Sequence, residues 1–497
     1  MSMAPEAYRA WLRRDGPRCV LLEVKVYHDG GEITRYLSDV GYVTGPAEIP
    51  PDQYYADLLL DIPPYSVNLS GLMGQGEIVL SNHDGSLDAW LEDAWDGRDF
   101  TLLLGAPEWP RDDFTPILTG IVDHLVAHGE ATLGLVIRDR SEALNGPIPQ
   151  EVYPSGVSHP SEGLHIPYAL GYPLLVSPRL TNTATHEYQI HNGEMVDIYE
   201  VYDRGYAVTF LADTANGKCT LSTFAQGTLT AQVTGAKRDA DSLYGASSFA
   251  IQTPADCLFW ILRKMGLTLA DIDQQSFLDL DIADPGPLGI YLSDRTNALQ
   301  LIDEILTTCA ASRIWTRSGK LRLWRLEEPI GVPDHVFGPD DVVEGGMDIV
   351  ERWAPWARQA WAIDKNWTPQ DASALADGVP EFHRRIFPRE YLVIKTQQNP
   401  GILTTYKGAL SPEQIPTLYS GANTANINAE LTRRMGLRDT WRTVYAVDFF
   451  ACAFGCELGQ IVNLEYPRYG WAGGVNAVIV GIEEMALQGR VKLLLWR

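Results

Sequence analysis

The sequence has no apolar run approaching the roughly 18 residues that a membrane-spanning helix needs, so no such helix is expected. Its first 14 residues lack the apolar core of a secretory signal. They read instead as a short helix, with Pro5 near its start and Gly16-Pro17 beyond its end. Positive charge is scarce: 39 Lys and Arg stand against 64 Asp and Glu, a net charge of −25. A surface devoted to nucleic acid needs positive potential, so no specific nucleic-acid binding is expected. The acidity suits solubility, or a particle surface or inner wall to which DNA must not stick. Cysteine is sparse as well. Cys19, Cys219, Cys257, Cys309, Cys452 and Cys456 are scattered, form no disulfide framework and fit synthesis in a reducing cytoplasm. Cys452 and Cys456 make a single C-x3-C in strand-like text, without the second ligand pair of a zinc site. Spacing alone leaves open whether distant cysteines meet around an iron–sulfur cluster.

Catalytic signatures are missing too. There is no Gly-x-Ser-x-Gly. His186 and His191 lie five apart in strand-like text, whereas the paired histidines of a zinc protease sit at i and i+4 on a helix. Asn216-Gly-Lys-Cys-Thr220 ends like a phosphate-binding loop, but Ala212 stands where its first Gly belongs and no helix pattern follows, which predicts a turn. Asp271, Asp273, Asp279, Asp281 and Asp284 lack the spacing and central Gly of a calcium loop and read as a solvated acidic loop. Carboxylate pairs for glycoside hydrolysis can be far apart in a chain, and nothing singles one out. No catalytic residue, metal or cofactor is expected, which makes an enzyme the weaker class.

What is present is β-forming sequence. The chain closes on two runs of strand formers, 476–485 and 490–497, bounded by Gly481 and Gly489. The same plan occurs at 117–138, where Gly120 matches Gly481, Gly129 matches Gly489 after a one-residue gap, and Leu133 and Leu135 fall on Leu493 and Leu495. Such an echo predicts two related β-domains, one near each end. At 497 residues the chain is too long for one core. From Cys19 to about Asp139 strands dominate, with a hairpin at Asp29-Gly30-Gly31 and a short helix around Trp90, Leu91, Ala94 and Trp95 stopped by Gly97. Residues 147–245 are rich in Pro and Gly, and 188–205 reads as paired strands turned at Asn192-Gly193 and Asp203-Arg-Gly205. Two apolar-striped helices follow, from Pro254 to Gly266 and from about Arg295 to Ala311, then a hairpin turned at Ser318-Gly319. The remainder holds strands near Ala360 and Val393 separated by an acidic loop, a helix near 426–435, and strands at 444–450 and 458–464. An aromatic loop, Tyr466-Pro-Arg-Tyr-Gly-Trp471, precedes the closing pair.

Four stretches in this order resemble one family. They are Asn82-His-Asp-Gly-Ser-Leu-Asp with Trp95-Asp-Gly-Arg; Leu170-Gly-Tyr-Pro-Leu-Leu with Tyr188-Gln-Ile-His-Asn-Gly and Val201-Tyr-Asp-Arg-Gly; the helix and hairpin from Ala298 to Arg325; and Glu457-Leu-Gly-Gln-Ile-Val with the closing strands. The chain resembles the tail hub proteins of bacteriophages, the tail-tip or baseplate-hub proteins of long-tailed phages and gene transfer agents, including the core of lambda-like tip-attachment proteins. None of these motifs is a catalytic signature.

The resemblance implies a mainly β, multidomain fold with α+β parts: two tail-tube-like β-barrel domains joined by α+β and β-rich insertion domains. The expected divisions are an N-terminal helix or arm (1–18), a first barrel (19–146), a β-rich insertion (147–248), an α+β domain (249–344) and a second barrel (345–497). It further implies a homotrimer at the tail tip, made in the host cytoplasm, in which three chains with two barrels each cap a sixfold tube. Partners implied are the distal tail ring protein, the end of the tape-measure protein and a tail fibre or receptor-binding protein, with transient passage of genomic DNA on ejection. Lambda-like proteins continue into fibre-bearing extensions, whereas this sequence stops at Arg497, so host recognition is expected largely on another chain, with 147–245 as a docking surface. Tyr466, Tyr469 and Trp471 are the candidate interface residues, because aromatic side chains favour interface anchors. Two other readings are a tail-associated cell-wall hydrolase, which a peptidoglycan zymogram would reveal, and a carbohydrate-binding adhesin, which cell binding would reveal.

Overall fold

The computed structural model describes residues 5–14, 16–68, 76–138, 140–155 and 159–497, the side chains of Pro5 and Glu6 apart. Residues 1–4 of the expected N-terminal arm, and Asp139 at the close of the first strand-rich stretch, lie outside the described residues. The chain is mainly β and multidomain. It forms two compact units: unit 1 gathers Met1–Glu142, Ser312–Trp353 and Arg442–Arg497, and unit 2 gathers Ala143–Ala311 and Ala354–Trp441. Residues 354–441, which the sequence pattern groups with the last barrel, thus pack in unit 2, and 312–344 pack in unit 1.

Unit 1 begins with helix α1 (Pro5–Leu12), whose Trp11 ring lies 4.5 Å from that of Trp109. Besides a short pair, Tyr42–Val43 with Tyr54–Tyr55, the strands that follow are β1 (Cys19–His28), β2 (Gly31–Ser38), β3 (Leu59–Asp61), β4 (Tyr65–Asn68), β5 (Gly76–Ser81), β6 (Asp99–Gly105), β7 (Thr115–His128) and β8 (Thr132–Arg138). The last six strands of the unit are β9 (His335–Phe337), β10 (Val342–Trp353), β11 (Arg442–Phe450), β12 (Ile461–Leu464), β13 (Val475–Met485) and β14 (Arg490–Trp496). The first sheet runs β2-β1-β6-β7-β8-β5-β3 and the second β9-β12-β13-β14-β11-β10. Strand β4 leaves its chain neighbours and pairs with β13 in the second sheet, Tyr65 opposite Glu484 and Asn68 opposite Gly481.

Five strands of each sheet share one plan. The order β6-β7-β8-β5-β3 repeats as β12-β13-β14-β11-β10, antiparallel throughout. The repeat extends to a bulge. Asp123 is the extra residue of β7, between Val122 and His124, opposite Ile137 and Val136. Val480 is the extra residue of β13, between Ile479 and Gly481, opposite Leu495 and Leu494. From that bulge the buried faces match: Leu133, Leu135 and Ile137 stand where Val491, Leu493 and Leu495 stand, and Ile78 and Leu80 where Val447 and Phe449 stand. Bulges fix register and local twist, which makes a shared bulge a strong mark of equivalence.

The glycine echo seen in the sequence is out of step with this equivalence. Gly129 directly follows β7, whereas Gly489 directly precedes β14, so the two sit at opposite ends of their turns. The turns differ in length, 129–131 against 486–489, and each glycine takes a positive φ, +69° and +62°. Gly120 accordingly lies opposite Phe100, and Gly481 lies on the far side of its bulge, opposite Leu494.

The helix expected around Trp90 is a single 3-10 turn, Asp88–Glu92. Asn82 holds the preceding loop, its Oδ1 accepting from the Leu87 N–H at 2.9 Å and its amide donating to Asp88 at 2.8 Å. Ala94 then exchanges backbone hydrogen bonds with Tyr27, both 3.1 Å, leaving no room for further turns.

In unit 2 a four-stranded sheet orders Arg179–Asn182, Glu187–Gln189, Lys218–Leu221 and Phe210–Asp213, and a three-stranded sheet places Met195–Asp203 between Tyr206–Ala207 and Leu229–Ala236. The expected hairpin at Asn192-Gly193 is therefore absent from this pairing: Glu187–Gln189 and Met195–Asp203 lie in different sheets. Met195–Asp203 instead gains a longer ladder along Leu229–Ala236. The turn at Asp203-Arg-Gly205 does join paired strands. Helix α2 (Pro254–Lys264) packs against α3 (Gln274–Ala283) and α4 (Ala298–Cys309), while strand Arg358–Lys365, which pairs with Tyr391–Gln398 and Ile415–Pro416, packs against helix Thr424–Gly436.

The acidic run 271–284, expected as a solvated loop, is largely α3. Its Phe277 and Leu280 are buried, and Asp281 turns inward with them. Asp281 Oδ1 accepts from the Ala255 N–H at 2.9 Å, and its Oδ2 accepts from the hydroxyls of Tyr244 (2.7 Å) and Thr253. These are orphan donors at the start of α2 and their neighbours, which is why a carboxylate is held there. Burial still raises the Asp281 carboxyl to about 7 against these hydrogen bonds.

Candidate functional site

The three aromatic candidates separate. Trp471 is fully buried, edge-on to Tyr445 at 5.1 Å, with the Arg497 guanidinium 5.2 Å from its ring centre. Its carbonyl accepts from the Tyr466 N–H at 3.2 Å and closes the loop. Tyr466 is half-buried, and Tyr469, at φ +54°, is 46% exposed. Trp471 is thus an anchor of the loop inside unit 1, and Tyr469 is the ring it presents. The sequence signal of an aromatic loop could not distinguish the two, because both are large rings two residues apart.

Unit 1 also holds a cleft of about 400 Å³ whose lining includes Tyr8, Phe114, Pro116, Arg317, Phe454 and Glu457. The hairpin Ala311–Trp315 and Leu321–Arg325 carries Arg317 at its turn, with Gly319 at φ +77°. Arg317 Nη2 donates to Glu484 Oε1 at 2.6 Å and to the Cys456 carbonyl at 2.8 Å, and its guanidinium lies 4.7 Å from the Tyr65 ring centre. Glu484 also accepts from the Gly455 N–H at 3.0 Å. Burial pushes the Glu484 carboxyl above its ordinary range, and Arg317 opposes that push. With its hydrogen-bond capacity met, this pair ties hairpin, β4 and β13 together and leaves a mostly apolar cleft above it. Nothing in the sequence links Arg317 and Glu484, 167 residues apart.

The other candidates resolve into structural roles. His191 is buried, its Nδ1 accepting from the Ala169 N–H at 3.1 Å, and burial, with Lys264 nearby, pushes its imidazole down to about 3. His186 packs on Phe224 instead, so the two histidines do not converge. Lys218 pairs with Glu187 at 2.9 Å, and Gly217 (φ +64°) turns directly into a strand. All six cysteines are free thiols. Burial raises Cys452 to about 12 and Cys456 further, which keeps both protonated at neutral pH. Among the described residues, no three His, Cys, Asp or Glu side chains gather as a metal site, and no helix is long and apolar enough to cross a membrane.

No family model matches the sequence, and no curated protein matches it. Among solved structures, the chain is similar to the 43 kDa tail protein of prophage MuSo2 from Shewanella oneidensis, at 10% identity over 97% of this chain and 98% of that one, with a TM-score of 0.43. It is similar to a prophage tail protein from Listeria monocytogenes, at 11% identity over 96% and 94%, TM-score 0.41. A chain of the native gene transfer agent virion matches at 12% identity over 71% and 90%, TM-score 0.43.

Proposed function

We propose that this chain is a virion structural protein of a phage-type tail, the hub at its distal tip. In this reading it caps the tail tube as a homotrimer, meets the distal ring and the end of the tape-measure protein, seats receptor-binding fibres and opens for DNA ejection. It works by assembly and conformational change, without bond-making chemistry. The observation that carries the reading is the five-strand plan, bulge included, present twice in unit 1. A chain with two equivalent sheets supplies six in a trimer (3 × 2), which a sixfold ring can meet with six like contacts. The acidic charge suits a wall past which DNA slides. Tyr469 is the proposed contact of the aromatic loop, backed from inside by Trp471 and flanked by Tyr466.

Light scattering on the purified chain over a range of concentrations tests this. The expected mass is three times the 55.1 kDa of one chain. A species that stays at one chain mass at every concentration would overturn the threefold cap. Clearing of peptidoglycan in a zymogram, lost on a single carboxylate substitution, would overturn the non-catalytic role.

A further inference from the structure

Unit 1 contains a second cavity, of about 390 Å³, beside the turn between β13 and β14. Four arginines line it. Arg13 and Arg14 follow α1, Arg18 precedes β1, and Arg490 opens β14. Among the described residues, Asp340 and Asp341 are its only acidic lining residues, which gives that part of the wall a formal 4 − 2 = +2 within a chain of −25. Among the described residues, none of the four guanidiniums forms an ion pair. Arg490 lies 4.5 Å from the centre of the Phe450 ring, and its Nη1 is buried with no hydrogen-bond partner among the described residues. Arg18 donates to the Leu12 carbonyl at 3.3 Å and rests on Gly489, where a Cβ would stand 2.3 Å from its Nη1.

Such an arrangement is costly as it stands. Like charges converge, and a buried N–H is unmet. The turn glycine lets Arg18 close in, and an aromatic ring holds Arg490 in place. With Arg13 and Arg14 they set four guanidiniums around a cavity large enough for a small organic anion. We propose that this cavity is a binding site for a multiply charged oxyanion, a phosphate or a cluster of carboxylates, held by Arg18 and Arg490 with Arg13 and Arg14 at its rim. An anion at this place neutralises the mutual repulsion of the four side chains. The proposal does not depend on the tail-hub reading.

Isothermal titration of the full chain with inorganic phosphate and, separately, with citrate tests it. Saturable binding weakened by added salt is expected for at least one. Phosphate alone binding assigns the site to phosphate groups, and citrate alone assigns it to clustered carboxylates. Arg490→Gln and Arg18→Gln should each weaken binding by about tenfold or more, with the thermal unfolding midpoint retained. Arg13→Gln and Arg14→Gln, on the segment after α1, should weaken it less and serve if the inner variants fail to fold. Absence of saturable heat with both anions, or affinities unchanged in all four variants, would overturn the proposal.

Discussion

At the scale of single residues, unit 2 turns on acids that face inward. Asp281 sits 7% exposed against the first turn of α2, and the neighbouring Asp256 is buried on Arg238. A carboxyl held at about 7 binds its proton more tightly in the folded state than in the unfolded chain. Between about pH 4 and about pH 7 the folded state therefore holds more protons, and its stability falls as pH rises through that window, then levels off. Asp281→Asn removes this dependence. Comparing urea unfolding at pH 5 and pH 8, the wild type should lose more stability than the variant, by a difference of at most about 3 kcal/mol. Equal pH dependence in the two proteins would show that Asp281 stays ionised. The periodic text around 271–284 did not reveal this, since an Asp that caps a distant helix is spelled like an Asp in water.

At the scale of elements, the duplicated sheets rest on close strand approach. A Cβ on Gly120 would stand 2.7 Å from the Arg138 carbonyl oxygen and 2.9 Å from the Phe100 ring, and one on Gly481 would stand 2.6 Å from the Leu494 side chain. A backbone carbonyl in a ladder cannot give way, whereas a half-buried leucine can partly move. Gly120→Ala should destabilise by about 1–3 kcal/mol and Gly481→Ala by less, read from denaturant midpoints at unchanged slope. Equal costs would mean that the two sites share an environment, as the glycine match in the sequence implied. Strand existence was legible from the runs of strand formers at 117–138 and 476–497, but register was not. Counting from turn glycines misaligned the repeats because turns of different length separate the same strands.

At the scale of the whole molecule, the compact units do not follow the order of the chain. Unit 1 is assembled from three segments, and β4 crosses from the first sheet's sequence into the second sheet. A fragment of residues 19–146, the first barrel as the sequence pattern delimits it, lacks the partner of β4 and the Glu484–Arg317 pair beneath Tyr65. It should melt below the full chain and self-associate through the unpaired β4, seen by circular dichroism and size-exclusion chromatography. A monodisperse fragment with a cooperative melt as high as the full chain's would show the first sheet to be autonomous.

The sequence by itself determined the local elements: α1 after Pro5, the apolar stripes of α2 and α4, the hairpin at Ser318-Gly319, and the strands whose side chains alternate in and out. These follow from periods of two and 3.6 that a neighbouring stretch of chain suffices to express. Only the tertiary structure decided that Trp471 is core while Tyr469 is surface, that an acidic run is a buried helix cap, that Glu187–Gln189 and Met195–Asp203 part company, and that four arginines from three places surround one cavity. Each of these depends on a partner more than ten residues away. Burial and long-range pairing are properties of the packed chain, and no local pattern carries them.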